Sequence, residues 1–172
     1  MFRHNRFTVR AALVAFVLFL LPVFSIGSLK QGDRMPDLSS FKLEGRVPDK
    51  LEGRVVLLDF WASWCGPCKL SFPAMEKLNQ EYEKKGLTIV AVSVDEKREN
   101  MEHFLKEMKV SFATVRDAQQ KLVAAADVQA MPTSFLIDRT GKVRFVHDGF
   151  YGDQTVKKYH EEIEQLLKEG GR

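Results

Sequence analysis

Fifteen consecutive residues, Val55 to Lys69, constrain this 172-residue chain more than any other stretch. The first seven, Val55-Val56-Leu57-Leu58-Asp59-Phe60-Trp61, form a nearly unbroken apolar, β-favouring run, the pattern of a strand buried on both faces. A few residues on, Cys65-Gly66-Pro67-Cys68 places both cysteines of the protein two residues apart, and helix-compatible sequence follows from Lys69 to Lys85. The two sulfurs therefore sit where a buried strand turns into a helix. The first backbone N–H groups of a helix are unpaired and its dipole is positive at that end, so a thiolate there is stabilised. In such pairs the thiol pKa falls from about 8.5 into roughly the 3.5–7.5 range.

The rest of the chain supplies alternating elements. Leu29 to Arg54 is polar and punctuated by Gly32, Pro36, Gly45, Pro48 and Gly53, with Leu38, Phe41 and Leu43 predicting a short extended piece packed on the domain edge. In the first helix Phe72, Met75, Leu78 and Tyr82 recur every three or four residues. Pro73 predicts a kink one turn past the cysteines, and Gly86 the end. Leu87 to Asp95 reads as a second buried strand, Asn100 to Met108 as a helix, Phe112 to Val115 as a short strand and Gln119 to Ala126 as a short helix. Ser134 to Asp138 and Lys142 to His147, joined by Arg139-Thr140-Gly141, predict an antiparallel hairpin. Asp153 to Lys168 is a closing amphipathic helix with Val156, Tyr159, Ile163, Leu166 and Leu167 on one stripe. Crossover units followed by a hairpin predict an α/β fold: a mixed central sheet with helices on both faces.

Charge divides the chain. Arg3, Arg6 and Arg10 open residues 1–27, which contain no Asp or Glu, and Ala11 to Phe24 is uncharged and largely apolar. Ser25-Ile26-Gly27 ends the segment with small residues at the two positions a signal peptidase reads. Residues 1–27 are thus expected to be a cleaved export signal or a retained membrane anchor; Pro22 and the shortness of the run favour the former. Either reading puts the body outside the cytoplasm, in the periplasm or an equivalent space. With those three arginines set aside, 23 basic residues face 23 acidic ones, so the body carries no excess positive charge for nucleic acid. The domain plan is a leader at 1–27, an extension at 28–54 and a main domain at 55–172.

Trp64-Cys65-Gly66-Pro67-Cys68 after an apolar strand, with Met131-Pro132-Thr133 opening a later strand, resembles thioredoxin, and the likeness runs from Val55 to the C-terminus. The resemblance implies dithiol–disulfide exchange with no cofactor beyond a redox-active disulfide between Cys65 and Cys68. Cys65, nearer the helix start, is expected to attack, and Cys68 to resolve the mixed disulfide. Pro67 suits a first helical turn, and Gly66 keeps the approach to sulfur open. Asp59, six residues before Cys65, matches the buried acid of thioredoxins, which moves the proton of the second cysteine; burial would raise its pKa toward neutrality. A strand-end aspartate facing solvent is the plainer alternative. Pro132 matches the family's cis proline, which turns the Met131 backbone toward the sulfurs to pair with an extended substrate segment. Trp64, Gly66, Pro67, Met131, Thr133 and Gly149 make up the expected substrate surface. Trp61 fits core packing as well as an active-site role, and Gly149 fits a turn as well as a close approach.

The extension, the Glu96–Asp127 insert and the leader together resemble the extracytoplasmic TlpA-like branch, which includes reductases that serve cytochrome c maturation. The resemblance implies protein disulfides as substrates and an upstream membrane electron donor. Two positions depart from the patterns of these families: Ser71 stands where an acid often follows the second cysteine, and Ala91 where thioredoxins carry a lysine. Two rival activities compete with this reading. Phe135-Leu136-Ile137-Asp138 also resembles thiol peroxidases, but Ser63-Trp64-Cys65 lacks their arrangement. Cys65, Cys68 and His147 could serve a Cu(I) carrier, but related carriers space their cysteines by three residues, and His147 reads as a surface strand residue. A structural zinc site needs about four Cys or His ligands, and only two cysteines exist, so no metal is expected.

Overall fold

Seven consecutive buried residues make Val55–Trp61 (β2) an interior strand, and the rest of the sheet forms around it. The computed structural model describes residues 28–169; the expected leader at 1–27 lies outside them. The other strands are Glu44–Gly45 (β1), Leu87–Ser93 (β3), Ala113–Arg116 (β4), Thr133–Ile137 (β5) and Val143–Asp148 (β6). They line up in the order β1-β4-β3-β2-β5-β6. β2 pairs parallel with β3 and β3 parallel with β4, while β5 runs antiparallel to both β2 and β6. This is the mixed sheet that the alternation of elements predicts.

The helices are Gly66–Tyr82 (α1), Arg98–Met108 (α2), Lys121–Ala125 (α3) and Asp153–Glu169 (α4). Among the described residues no helix is long and apolar enough to cross a membrane. Strand side chains alternate between faces, so Asp59 and Trp61 share one. On that face Trp61 packs against Phe72 of α1 and Phe104 of α2, with ring centroids 4.7 and 4.6 Å away, and Phe72 also meets Phe112 at 5.5 Å. Tyr82 of α1 reaches His160 of α4 at 2.8 Å, which closes α1 and α4 over the same side. On the opposite face Val56 and Ile137 lie beneath Met35 and Leu38 of the N-terminal extension, and α3 packs beside that segment.

The extension departs from its predicted form. Leu38–Phe41 is a 3-10 turn, not an extended piece, because the Asp37 carboxylate accepts from the Ser39 N–H at 3.0 Å and its hydroxyl at 2.8 Å. The segment reaches both sides of the sheet: Arg34 bridges Lys142, and β1 pairs with β4. There the Glu44 carboxylate receives Arg116 and Arg98, each at 2.7 Å. The Arg116 hydrogen bond holds the Glu44 carboxyl below the usual carboxylate range. Arg116 also donates to the carbonyls of Asp95 and Glu96, at 3.2 and 2.7 Å, tying the extension to the end of β3.

Helix α1 begins three residues before the predicted Lys69. Gly66 and Pro67 occupy its first turn, where a proline loses nothing because that N–H has no helical partner. Pro73 lies within α1, which continues as one helix to Tyr82 without the bond that residue 73 would donate to the Lys69 carbonyl. A 3-10 turn, Glu83–Lys85, and Gly86 with φ +117° finish it.

Candidate active site

Cys65 is the N-cap of α1: its backbone is extended, and its Sγ accepts the Cys68 N–H at 3.2 Å. The residue most exposed to the helix field is therefore one of the two sulfurs. Cys65 and Cys68 are joined in a disulfide, with Cα atoms 5.3 Å apart. Cys68 is fully buried and Cys65 is 5% exposed, which leaves Cys65 as the sulfur at the surface. When the pair is reduced, the unpaired N–H groups of the first turn favour the thiolate of Cys65. Ser71, one turn further on, is buried and donates to the Cys68 carbonyl at 3.1 Å.

The loop entering Cys65 is sewn down from β3. Asp95, 1% exposed, accepts from the Ser63 N–H at 3.1 Å, the Ser63 hydroxyl at 2.6 Å and the Ser93 hydroxyl at 2.8 Å. The Ser93 bond anchors the carboxylate, and the two Ser63 bonds fix the strand-to-helix turn two residues before Cys65. Sequence reasoning read Asp95 only as the end of a strand; its place after a buried run was the available signal.

Asp59 is fully buried in mid-strand. Its cross-strand neighbours are Ala91 on β3 and Ser134 on β5. Ala91 brings no cation from that side. Burial drives the Asp59 carboxyl up from 3.8 to about 7, against the lowering effect of the Ser134 hydroxyl, which donates to Oδ1 at 2.6 Å. Oδ2 is buried and makes no hydrogen bond to any described residue. A carboxyl that titrates near neutrality can take up or release a proton under working conditions.

An open groove of about 540 Å³ runs over the disulfide, lined by Trp64, Cys65, Gly66, Pro67 and, from the facing loop, Val128 to Met131. Trp64 is 71% exposed at its rim. A Cβ added at Gly66 would meet nothing within 4 Å, so the chain leaves the approach open there. The Met131–Pro132 peptide is cis. Thr133 turns inward instead of lining the groove: its hydroxyl donates to the Ala130 carbonyl at 2.9 Å and to Asp148 at 3.1 Å. Gly149 donates its N–H to the Pro132 carbonyl at 2.7 Å and has φ +82°, a region that favours glycine. A Cβ there would also lie 3.1 Å from the Tyr151 hydroxyl. Gly149→Ala is expected to cost about 1 kcal/mol, a melting-temperature drop of roughly 2–4 °C, since exposed Tyr151 can swing aside but the backbone strain stays. Thermal unfolding of the oxidised protein checks this.

His147 is not the surface residue expected. Only 11% of its side chain is exposed; α4 covers it, with its Nε2 2.6 Å from Glu162 and its ring edge-on to Tyr159 at 5.0 Å. Its Nε2 is engaged by Glu162 of α4. Among the described residues no three His, Cys, Asp or Glu side chains gather as a possible metal site.

Strand order, helix placement and the disulfide at the start of α1 define a thiol–disulfide oxidoreductase of the thioredoxin fold. The chain belongs to the Redoxin family, whose model matches residues 30–163. It is 37% identical over 134 residues to the thiol-disulfide oxidoreductase ResA of Geobacillus thermodenitrificans, covering 77% of each chain. To ResA of Bacillus subtilis it is 38% identical, covering 77% of this chain and 75% of that one. Among solved structures it resembles a thiol:disulfide interchange protein of the DsbE type from Chlorobium tepidum, with TM-score 0.74 and 41% identity over 81% of this chain and 99% of that one.

Proposed function

We propose that the protein is an extracytoplasmic reductase of protein disulfides, acting in cytochrome c maturation and recharged by a membrane-bound electron donor. The observation that carries the redox reading is the Cys65–Cys68 disulfide with Cys65 as the helix N-cap. Residues 1–27, as an export signal or anchor, supply the location. The TlpA-like resemblance and the similarity to ResA proteins support the maturation role.

In the first step the Cys65 thiolate attacks one sulfur of the client disulfide. That S–S bond breaks, a mixed disulfide forms, and one client sulfur leaves as a thiolate. In the second step Cys68 gives its proton to the Asp59 carboxylate and attacks Cys65 Sγ. The second client thiolate departs, and the Cys65–Cys68 disulfide is restored. The client gains two electrons and the protein loses two. The groove between Trp64 and Met131 receives an extended client segment, with the Met131 backbone as its pairing edge. Trp64, Gly66 and Pro67 form the wall around the reacting sulfur, while Pro132, Thr133 and Gly149 hold the facing loop in place.

The test is the reduction potential of the Cys65–Cys68 pair, equilibrated against glutathione or dithiothreitol. A value near that of thioredoxin, about −270 mV, is expected. A value near about −120 mV, that of a strong oxidant, would make the protein a disulfide donor and overturn the reductase reading.

A further inference from the structure

Behind Asp59 lies a second line of polar groups that the exchange reaction does not itself use. Ser134 of β5 donates to Asp59 Oδ1 at 2.6 Å, and its oxygen lies 2.8 Å from the hydroxyl of Tyr159 on α4. All three residues are essentially inaccessible: Asp59 is 0%, Ser134 1% and Tyr159 1% exposed. With all three residues buried, two hydroxyls set in line on one carboxylate oxygen form a built arrangement, since an unpaired hydroxyl there would be costly.

The direction of the chain follows from proton counting. An ionised carboxylate only accepts, so the Ser134 proton points to Asp59. Ser134 Oγ must then accept, and Tyr159 donates to it. Tyr159 has one proton to give, and burial holds its own pKa above the ordinary phenol value, so it remains a neutral donor throughout. When Asp59 is protonated on Oδ2, Oδ1 remains a carbonyl-type acceptor and the same order of donation holds. The pair thus serves either state of the acid, and it always engages the same oxygen.

We propose that Ser134 and Tyr159 are positioning residues for Asp59: their hydroxyl chain occupies Oδ1, orients the carboxyl, and leaves Oδ2 as the oxygen that exchanges a proton during disulfide chemistry. This deepens the proposed function and rests on its assignment of Asp59 as the proton-handling group. The same chain stabilises the charged form of Asp59 and so opposes the upward push of burial. The titratable groups around it are Tyr159 and Glu162 on α4 and His147 on β6, which packs edge-on to Tyr159. From β3 comes only Ala91, and the cysteines of α1 do not titrate while they are joined. The oxidised protein therefore isolates the effect.

The experiment follows the side-chain carboxyl carbon of Asp59 by NMR through a pH titration of the oxidised protein, alongside the pH profile of disulfide exchange. Ser134→Ala is expected to raise the Asp59 midpoint by about one pH unit. Ser134→Thr, which keeps a hydroxyl, should restore it. Tyr159→Phe keeps the ring that fills the core, so it serves even if Ser134→Ala folds poorly. It should raise the midpoint by about a few tenths of a unit, the effect of removing a donor one bond away. An unchanged midpoint in either Ser134→Ala or Tyr159→Phe would overturn the proposal. Asp59→Asn separates the two readings: an unaltered pH profile of exchange in that variant would sink the proton role of Asp59, whatever the titration shows.

Discussion

Cys65→Ser is expected to lower protein-disulfide reduction by roughly a thousandfold or more, because a serine hydroxyl supplies almost no anion near neutral pH. The loss should be chemical and not structural. Serine is among the best N-cap residues, so its hydroxyl can accept the Cys68 N–H that the sulfur now accepts. The reduced wild-type protein is the proper stability reference, since neither form then has the crosslink. Its partner variant gives the opposite signature. Cys68→Ser keeps the attacking thiolate but removes the resolving one, so a covalent adduct with the client should accumulate and disappear on adding a small thiol. Reduction of insulin measures the first variant, and non-reducing electrophoresis with a disulfide-containing client measures the second. Full activity in Cys65→Ser would remove that sulfur from its assigned role. Adduct formation through Cys68 in that variant would reverse the order of the two cysteines.

The elements around the cysteines could be read from the chain because the relevant information is local. The strand, the cysteine pair and the helix occupy fifteen adjacent residues, and each declares itself by pattern: an apolar run, a two-residue gap, then three- and four-residue spacing. Asp59 stood out for the same reason, as one carboxylate inside an apolar strand. The periodic pattern marks α1 only from Lys69, three residues late, because Gly66 and Pro67 add nothing to its apolar stripe; the fitness of Pro67 for a first helical turn was the local sign of the earlier start.

What stayed hidden depends on contacts between distant parts of the chain. Ser134 lies 75 residues from Asp59, and Tyr159 another 25 beyond. A serine in Thr133-Ser134-Phe135-Leu136-Ile137 was the visible anomaly, a hydroxyl in a wholly buried strand, but only the antiparallel register sets it opposite Asp59. Tyr159 was placed on the apolar stripe of its helix correctly, and a buried tyrosine usually finds a partner for its hydroxyl, but the stripe does not say which. His147 was misread because β6 follows a turn and alternates in polarity. The residue that covers it, Glu162, comes from α4. Leu38 to Phe41 was misread because its apolar spacing suggested a strand, whereas Asp37 with Ser39 is a local turn signal that outweighs it.

Asp59→Asn should make the protein more stable and less active, and the size of the first effect should depend on pH. Asp59 has a folded-state pKa of about 7 against 3.8 without burial. Between those values the folded protein holds a proton that the unfolded chain releases, so stability must fall as pH rises through that window. The contribution is fully present below about pH 3.8 and is lost by the time pH passes about 7, an overall loss on the order of 4 kcal/mol. Asparagine has no such titration and can still accept the Ser134 hydroxyl through its amide oxygen. The variant and the wild type should therefore unfold at similar denaturant concentrations near pH 4 and diverge by several kcal/mol at pH 8, with the variant ahead. Activity should move the other way. On the proposed route the Asp59 carboxylate takes the Cys68 proton, so resolution of the mixed disulfide should slow by about a hundredfold in the variant. Equal pH dependence of unfolding in the two proteins would show that Asp59 is not a neutral buried acid. A stable variant with an unchanged rate of resolution would show that the proton leaves Cys68 by another route. A buried carboxyl kept for structure alone would be replaced by asparagine without loss of rate, so a gain in stability joined to a loss of resolution rate marks Asp59 as retained for chemistry.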